Sequence, residues 1–222
     1  MIQYPAPAVD GGRYAAKRVV GDRITVGADV FRDGHELLRA VVRYRHLSTR
    51  RWREAELQQI DARLEGVRWG GEFEVDAVGR WEYTIEAWSD SFGTWRDELR
   101  RKLAAGQSKL EGEISEGVVL MREAAERARG DDDRAVIARA LTALEQDKEP
   151  IAALDEDLFE VVERCQERHG STCLERPVTI EVDRVRARFG AWYELFPRSW
   201  GGLKGVEQQL PRLAELGFDV VL

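Results

Sequence analysis

The sequence lacks three features that would direct it to particular surroundings: a long apolar run, an excess of positive charge and an abundance of cysteine. No apolar stretch approaches the roughly 18 residues that a membrane span needs. The first residues, MIQYPAPAVDGG, do not have the basic-then-apolar pattern of a signal peptide. The formal net charge is −7, so no basic field exists to attract nucleic acid or anionic lipid. We therefore expect a cytoplasmic protein with no nucleic acid and no membrane among its partners.

Only two cysteines are present, and they flank a histidine in the segment CQERHGSTC. Cys165 and His169 are four residues apart, as ligands on one face of a helix would be, and Cys173 follows four residues later. We expect Gly170 and Ser171 to end such a helix, and a fourth ligand is not evident. We therefore favour two reduced thiols over a metal site or a disulfide, as is usual in the cytosol.

Between Tyr14 and about Trp95 the apolar residues recur with the period of two that is typical of strands. Several segments alternate in this way, and glycine or Asp-Gly turn signals separate them. Short strands at roughly ten-residue spacing predict an antiparallel β-sandwich of the immunoglobulin or carbohydrate-module type. The inward positions predicted from the alternation are Ile24, Val26, Ala28, Val30, Ala40, Val42, Tyr44, Phe73, Val75, Trp81, Tyr83, Ile85 and Ala87.

Near Trp95 the period changes to that of amphipathic helices. We predict one long helix from about Trp95 to Gly130, a second in DDDRAVIARALTALEQ and a third in DEDLFEVVERCQERHG. Asp131, Asp132 and Asp133 could be read as a cation site. However, carboxylates in the first turn of a helix favour its dipole, so we favour a helix start. A helical stretch of this length within a β framework suggests a subdomain inserted into one loop of the sandwich.

After the helices the strand signal returns, and a different unit follows it. RPVTIEVDRVRARFG alternates Val178, Ile180 and Val182 and could complete the sandwich. AWYELF is almost continuously apolar, as a strand covered on both faces would be; KGVEQQLPRLAELG has helical spacing, and FDVVL is a second apolar strand. Pro211 weakens that helix unless it starts a separate segment. Strand, helix and strand predict the opening of a βα barrel or part of a doubly wound sheet, and we expect the chain to be a fragment.

These segments resemble a known family. RFGAWYELFPRS followed by LPRLAELGFDVV is similar to the start of the catalytic barrel in the glycoside hydrolase 13 (α-amylase) superfamily, and within it in the α-1,4-glucan:maltose-1-phosphate maltosyltransferases. VGADVFRDGHELLRAVVRYR and GRWEYTIEAWSDSFGTW resemble that family's N-terminal sandwich. The charged helical block resembles its inserted helical domain. The resemblance covers nearly the whole chain.

The resemblance implies a multi-domain fold: an all-β immunoglobulin-like sandwich with an inserted α-helical subdomain, followed by the first βαβ segment of a truncated (β/α)8 barrel. The corresponding domains are residues 1–94, 95–174, 175–186 and 187–222.

The resemblance also implies an activity. A maltosyl unit passes from α-maltose 1-phosphate to the non-reducing end of an α-1,4-glucan, with retention. This chemistry needs a carboxylate nucleophile and a second carboxyl group about 5 Å away. In such barrels these groups lie at the C-terminal ends of later strands, so we carry over no catalytic residue and predict no cofactor. We expect the 222-residue chain to be inactive by itself.

Two groups of residues are candidate site residues. Glu194, Arg198 and Ser199 lie along the predicted first barrel strand and at its C-terminal end, where barrel ligands bind, although a strand-end arginine more often pairs with a carboxylate. The seven tryptophans suggest sugar stacking, since flat aromatic faces suit pyranose rings. Trp81 belongs to an alternating apolar set and is predicted to fill the core. The tryptophans outside those sets or beside glycine turns are the candidate exposed platforms: Trp52, Trp69 and Trp88.

The sequence also leads to expectations about assembly and to two alternative functions. The helical insert has little area of its own to cover its apolar side, so we expect a homodimer through the sandwich and the insert, as the resemblance also implies. The alternative functions are a stand-alone glucan-binding or scaffolding module, or another amylase-superfamily enzyme such as a branching or debranching enzyme. A fragment without its barrel partners should expose apolar side chains, among them Trp192, Phe196, Phe218 and Val220.

Overall fold

The computed structural model describes residues 1–61 and 66–222. Along these residues the chain forms eleven β-strands and five α-helices. The first strands are β1 (Ile2–Ala6), β2 (Ala16–Val19), β3 (Arg23–Val30), β4 (Leu38–His46), β5 (Arg53–Asp61), β6 (Arg68–Glu74) and β7 (Gly79–Ser89). The remaining elements are α1 (Ser91–Ala104), α2 (Glu111–Arg127), α3 (Asp131–Thr142), α4 (Glu156–Cys165), β8 (Thr172–Cys173), β9 (Val178–Asp183), β10 (Trp192–Tyr193), α5 (Leu203–Glu215) and β11 (Val220–Val221).

Nine strands form one curled sheet in the order β1-β3-β6-β5-β4-β7-β9-β2, and β8 lies on the same side of β7 as β9. Neighbouring strands are antiparallel except β2 and β9, which are parallel. The curl brings the buried side chains of β3 and β6 against those of β4, β7 and β9 in one core. The hydroxyl of Tyr83 on β7 donates a hydrogen bond to the carbonyl of Pro7, just after β1, at 3.0 Å.

The alternation of apolar residues correctly predicted this core. The predicted inward residues are buried, except that Tyr44 is only partly buried and stacks on Phe73 with 4.2 Å between ring centroids. Trp81 fills the core as predicted, and its indole N–H donates to the carbonyl of Ala77 at 2.9 Å. Alternation predicts well here because each of these strands turns one face to the core, although β7 is also covered on its outer face at Thr84, Glu86 and Trp88.

Helices α1 to α4 lie between β7 and β8 and have a core of their own. The prediction of one long helix from Trp95 to Gly130 is wrong, because α1 and α2 are separated by a turn in which Gly106 has φ +71°. Reversing the chain there packs the apolar sides of the two helices together, whereas one continuous helix would leave both exposed. The helical spacing continues across the turn, so the apolar pattern alone does not show the break.

Helix α3 begins as predicted, with Asp131, Asp132 and Asp133 in its first turn. Asp133 forms an ion pair with Arg164 of α4 at 2.6 Å, and the hydrogen bond from Arg164 lowers the pKa of this carboxyl group. Within the described ranges, no group of side chains could hold a metal ion. The acidic turn therefore connects two helices of the insert.

The two cysteines lie in different surroundings, and both thiols are free. Cys165 is the last residue of α4 and is buried, while Cys173 is exposed on β8. Helix α4 ends before Gly170, so His169 does not share a helical face with Cys165. Burial raises the pKa of the Cys165 thiol, and at the exposed Cys173 partial desolvation and the charge of Glu86 raise the pKa as well, so both thiols favour the neutral form.

The segment after α4 returns along β7 and completes the sheet, as predicted. Val178, Ile180 and Val182 on β9 are buried, and β9 pairs with both β7 and β2. None of the described helices is long and apolar enough to cross a membrane.

The last unit is a separate pair of parallel strands, β10 and β11, joined by α5. The predicted strand–helix–strand order is confirmed. Trp192 on β10 is 63% exposed, as expected for an apolar strand without its barrel partners, because no described element packs over it. Phe196 is exposed as expected, whereas Phe218 and Val220 are half-buried. Pro211 lies inside α5 and does not start a separate segment.

Candidate functional site

The structure buries two of the three candidate aromatic platforms. Trp69 is 9% exposed and Trp88 is 7% exposed, so the prediction that they are exposed is wrong. Trp69 lies on the same face of β6 as Phe73, opposite Ala28 of β3, and points into the core. Trp88 lies on the outer face of β7, where the guanidinium of Arg168 stacks 4.3 Å from its ring centroid.

Arg168 connects the segment after α4 to the outer face of the sheet. It donates to Glu54 on β5 and to Glu86 on β7, each at 2.7 Å. The hydroxyl of Ser171 donates to the other oxygen of Glu86 at 2.6 Å. Arg43 of β4 lies at ion-pair distance from the same two carboxylates. This network covers Trp88 and leaves no aromatic face open for a sugar.

Trp52 is half-buried and lines a groove of about 830 Å³. The turn between β4 and β5 forms one wall, and the turn between β6 and β7 forms the other. Of the three candidate platforms, Trp52 alone is half-buried and not buried, and it lies in the turn immediately before β5.

His46 connects the two walls of this groove. Its Nδ1 accepts a hydrogen bond from the backbone N–H of Ser48 at 3.1 Å, so the ring proton is placed on Nε2. Nε2 donates to the carbonyl of Val78 at 3.2 Å. The imidazole packs edge-on against Trp81, with 5.3 Å between ring centroids. These contacts fix the turn that carries Trp52 relative to the opposite wall.

Two arginines stack on Trp52 from the outer face of β4. The guanidinium carbon of Arg45 lies 4.4 Å from the ring centroid, and that of Arg43 lies 5.7 Å away. Arg45 also forms an ion pair with Glu82 of β7 at 2.6 Å. Since the ion pair holds its guanidinium, Arg45 in turn fixes the indole ring.

A third arginine, Arg53, packs over two aromatic rings at the edge of the sheet core. Arg53 lies 5.0 Å from the ring centroid of Tyr44 and 4.9 Å from that of Trp81. It donates two hydrogen bonds to Asp76, at 2.7 and 3.2 Å. This hydrogen bonding lowers the pKa of Asp76 and raises the pKa of Arg53. The charge of Asp76 is therefore already compensated within the groove.

The predicted barrel-mouth residues lie together after β10. Glu194 follows Tyr193 directly, while Arg198 and Ser199 belong to the helical turn Pro197–Trp200, and all three are exposed. Among the residues with described coordinates, neither Glu194 nor Arg198 has an ion-pair partner. Their ligand-binding role stays a prediction.

The groove residues Arg45, His46 and Arg51 were not predicted as site residues. A signal for them was present, since RYRHLSTRRWR contains five arginines and a histidine in a chain with a net charge of −7. Alternation assigned this segment to a strand and a turn, and it did not show that two turns meet to form a groove.

The sequence of the chain matches a described protein family. The family model described as "Alpha-1,4-glucan:maltose-1-phosphate maltosyltransferase, domain N/S" matches residues 1–184. Curated proteins of that name are similar over nearly all of the chain. The one from Myxococcus xanthus is 40% identical, over 99% of this chain and 35% of its own length. Those from Chlorobaculum tepidum and Salinibacter ruber are 36% and 37% identical, over 97% and 100% of this chain.

The chain belongs to the α-1,4-glucan:maltose-1-phosphate maltosyltransferase family. It spans about a third of the length of the curated relatives it matches, 35%, 33% and 34% for the three named here. The resemblance stated from the sequence is thereby confirmed, and the matched model covers both the curled sheet and the helical insert.

Proposed function

We propose that this chain is the N-terminal, structural part of a cytoplasmic maltosyltransferase that acts in glycogen or α-glucan synthesis. The enzyme would transfer maltosyl units, with retention, from α-maltose 1-phosphate to the non-reducing ends of α-1,4-glucans. The observation that carries this proposal is the match of the whole chain to about a third of each named relative. The carboxylates for a retaining transfer would lie on later barrel strands, so the 222-residue chain alone is inactive.

The fold also allows a proposal for the domain to which each part of the chain belongs. We propose that the curled sheet is an immunoglobulin-like sandwich and that residues 187–222 open a (β/α)8 barrel after the domains 1–94, 95–174 and 175–186. The separate cores of the sheet and the insert favour the first part. The parallel pairing of β10 with β11 and the 72% exposure of Phe196 favour the second, because further barrel strands would cover such side chains.

Native mass and activity test the proposal together. The intact protein is detected in its source cells through the peptide FGAWYELFPR. It is then assayed for phosphate release from maltose 1-phosphate with glycogen as acceptor. We expect a species far heavier than 25.3 kDa that releases phosphate, while the 222-residue chain releases none. A native species at 25.3 kDa would refute the enzyme proposal and favour a stand-alone module.

We also propose that the protein is a homodimer through the sandwich and the helical insert. Two apolar side chains of the insert point to solvent, Val119 on α2 at 54% exposure and Ile151 at 65% exposure. Light scattering after gel filtration at micromolar concentration should give twice the chain mass. The double variant Val119→Glu, Ile151→Glu should be monomeric, while Leu216→Glu on the exposed end of α5 should not. A monomeric unmodified chain would refute this assembly.

The exposed residues after β10 have a proposed supporting role at the barrel mouth. Arg198 has a guanidinium without an ion-pair partner in the described part of the chain, so it can face an anionic substrate group. In the native enzyme, Arg198→Gln should raise KM for maltose 1-phosphate, and Glu194→Gln and Ser199→Ala should have smaller effects. Kinetics unchanged by all three substitutions would exclude these residues from the site.

A second candidate function concerns Trp52. Its partly exposed ring lies in a groove with hydroxyl, imidazole and carboxylate groups around it, which is suited to a carbohydrate ring. We propose that Trp52 is a platform for a sugar ring. Maltoheptaose binding followed by calorimetry tests it: Trp52→Leu should abolish the binding heat, while Trp192→Leu, which removes another exposed tryptophan, should not. Equal binding by both variants would refute the platform.

A further inference from the structure

We propose that the groove beside Trp52 binds a sugar ring that carries a phosphate group, with the phosphate on Arg51 and the ring on Trp52. This inference rests on the sugar platform proposed above and names its ligand more closely. The chemical class is a phosphorylated monosaccharide or short oligosaccharide. The site would serve as a binding or regulatory site, since the two carboxylates that line the groove, Glu54 and Asp76, are both held in ion pairs.

The first argument is the free charge of Arg51. Its side chain is exposed, lines the groove and has no ion pair or side-chain hydrogen bond among residues 1–61 and 66–222. The carboxylates that line the groove are occupied, because Asp76 binds Arg53 and Glu54 binds Arg168 and Arg43. The unpaired cation of the groove is therefore left to attract an anion, and a guanidinium presents two parallel donors to phosphate oxygens.

The second argument is the fixed orientation of Trp52. Arg43 and Arg45 of the same strand stack on the indole, and Arg45 also lines the groove, so a sugar would stack on the part of the ring outside these two contacts. A ring held in this way loses little conformational freedom on binding, which favours stacking of a pyranose. A phosphate alone would make no use of this surface.

The third argument is the proximity of Arg51 to Trp52 and the size of the groove. Arg51 and Trp52 are consecutive, and the turn that carries them is held by His46 through Ser48 and Val78. A volume of about 830 Å³ accommodates a ligand of one or two rings, since small-molecule sites typically measure ≈ 300–1,000 Å³. A neutral glucan would leave the Arg51 guanidinium without a partner, so the phosphorylated ligand fits the observed charges better.

Calorimetry with four probes tests the proposal on the 222-residue chain. The probes are glucose 6-phosphate, glucose, inorganic phosphate and adenosine monophosphate. We expect glucose 6-phosphate to bind more tightly than each of the others. Arg51→Gln should weaken glucose 6-phosphate by about tenfold through the lost charged hydrogen bonds. Trp52→Leu should weaken it by about fivefold and leave inorganic phosphate unchanged.

The control variant is Arg100→Gln, because Arg100 is also exposed and also has no ion-pair partner in the described part of the chain. It should bind all four probes like the unmodified chain, and all variants should keep the same thermal midpoint. Glucose or maltoheptaose binding as tightly as glucose 6-phosphate, with no effect of Arg51→Gln, would overturn the phosphate while the sugar platform stands. Tighter binding of adenosine monophosphate would overturn the sugar, and no binding of any probe or of maltoheptaose would overturn both proposals.

Discussion

At the scale of single residues, the contact between Trp95 and Gly117 decides how closely α1 and α2 approach. A Cβ atom at Gly117 would overlap the ring of Trp95, which is 3% exposed and donates its indole N–H to the carbonyl of Glu113 at 2.8 Å. The ring can therefore move little to make room. Glycine is required here for space, since no positive φ is involved.

Gly117→Ala should lower the free energy of unfolding by about 1–3 kcal/mol, because overpacking outweighs the better helix propensity of alanine. Urea denaturation measures the change. Gly112→Ala in the same helix is the control, since a Cβ there meets open space; its stability should stay the same or rise by up to about 1 kcal/mol. Equal effects of the two substitutions would contradict the packing argument.

The buried hydroxyl of Tyr83 predicts a loss of stability at high pH. Burial raises its pKa well above the usual value of about 10, so the folded state keeps a proton that the unfolded state loses. This contribution is fully present below pH 10 and decreases as the pH rises further. Between pH 10 and 11 the unmodified chain should lose about 1 kcal/mol more than Tyr83→Phe does. Tyr14→Phe, at a residue 55% exposed, should not remove this difference.

At the scale of elements, alternation predicted β3, β4, β7 and β9 because each turns every second side chain to the core. The same rule could have placed Trp69 correctly. Trp69 is four positions before Phe73 on β6, and an even spacing puts both side chains on the same face. Trp88 was not predictable in this way. It lies on the outer face, and a segment about 80 residues later in the chain covers it.

Asp90 holds together the two ends of the helical insert. It caps α1 by accepting from the N–H of Gly93 at 2.8 Å and accepts from the amide of Gln166, just after α4, at 3.1 Å. Asp90→Ala removes both and should lower the free energy of unfolding by about 1–3 kcal/mol. Asp90→Asn keeps an acceptor oxygen and should have a smaller effect in the same denaturation experiment. Similar losses in both variants would show that the negative charge matters, and not the capping oxygen.

Arg168 is expected to control how firmly β8 pairs with β7. Arg168→Ala leaves Glu86, which is 8% exposed, with Arg43 as its remaining guanidinium partner and should lower the free energy of unfolding by about 1–2 kcal/mol. The amide of Leu174, which donates to the carbonyl of Ile85, should exchange with solvent faster. Arg129→Ala removes an exposed arginine and should change neither value. Unaltered exchange at Leu174 would mean that backbone pairing alone holds this segment.

At the scale of the whole molecule, the two cores contain no residue beyond Val182. The last unit instead exposes large apolar side chains, with Phe189 at 80% and Leu203 at 78%. A chain that ends at Arg186 should therefore still unfold cooperatively and should bind less hydrophobic dye than the 222-residue chain. Loss of cooperative unfolding on this shortening would show that β10, α5 and β11 stabilise the sheet.

The candidate site was less predictable than the fold for a physical reason. Trp52 was recognised because an aromatic ring outside an alternating set stands out in the sequence. The groove around it depends on the meeting of two turns that are far apart along the chain and are joined by the contacts of His46 with Val78 and of Arg53 with Asp76. Local periodicity carries no information about such a contact. The charge of Arg51 became informative only once the neighbouring ion pairs were known.

The parallel pairing of β2 with β9 has a consequence for biosynthesis. Among the described strands, β2 pairs with β9 alone, and β9 begins at Val178. During translation β2 must therefore wait while about 160 further residues are made, on the order of ten seconds or more at roughly 5–20 residues per second. Lys17 and Arg18 place two positive charges on this waiting edge, where charged side chains discourage pairing with other nascent chains.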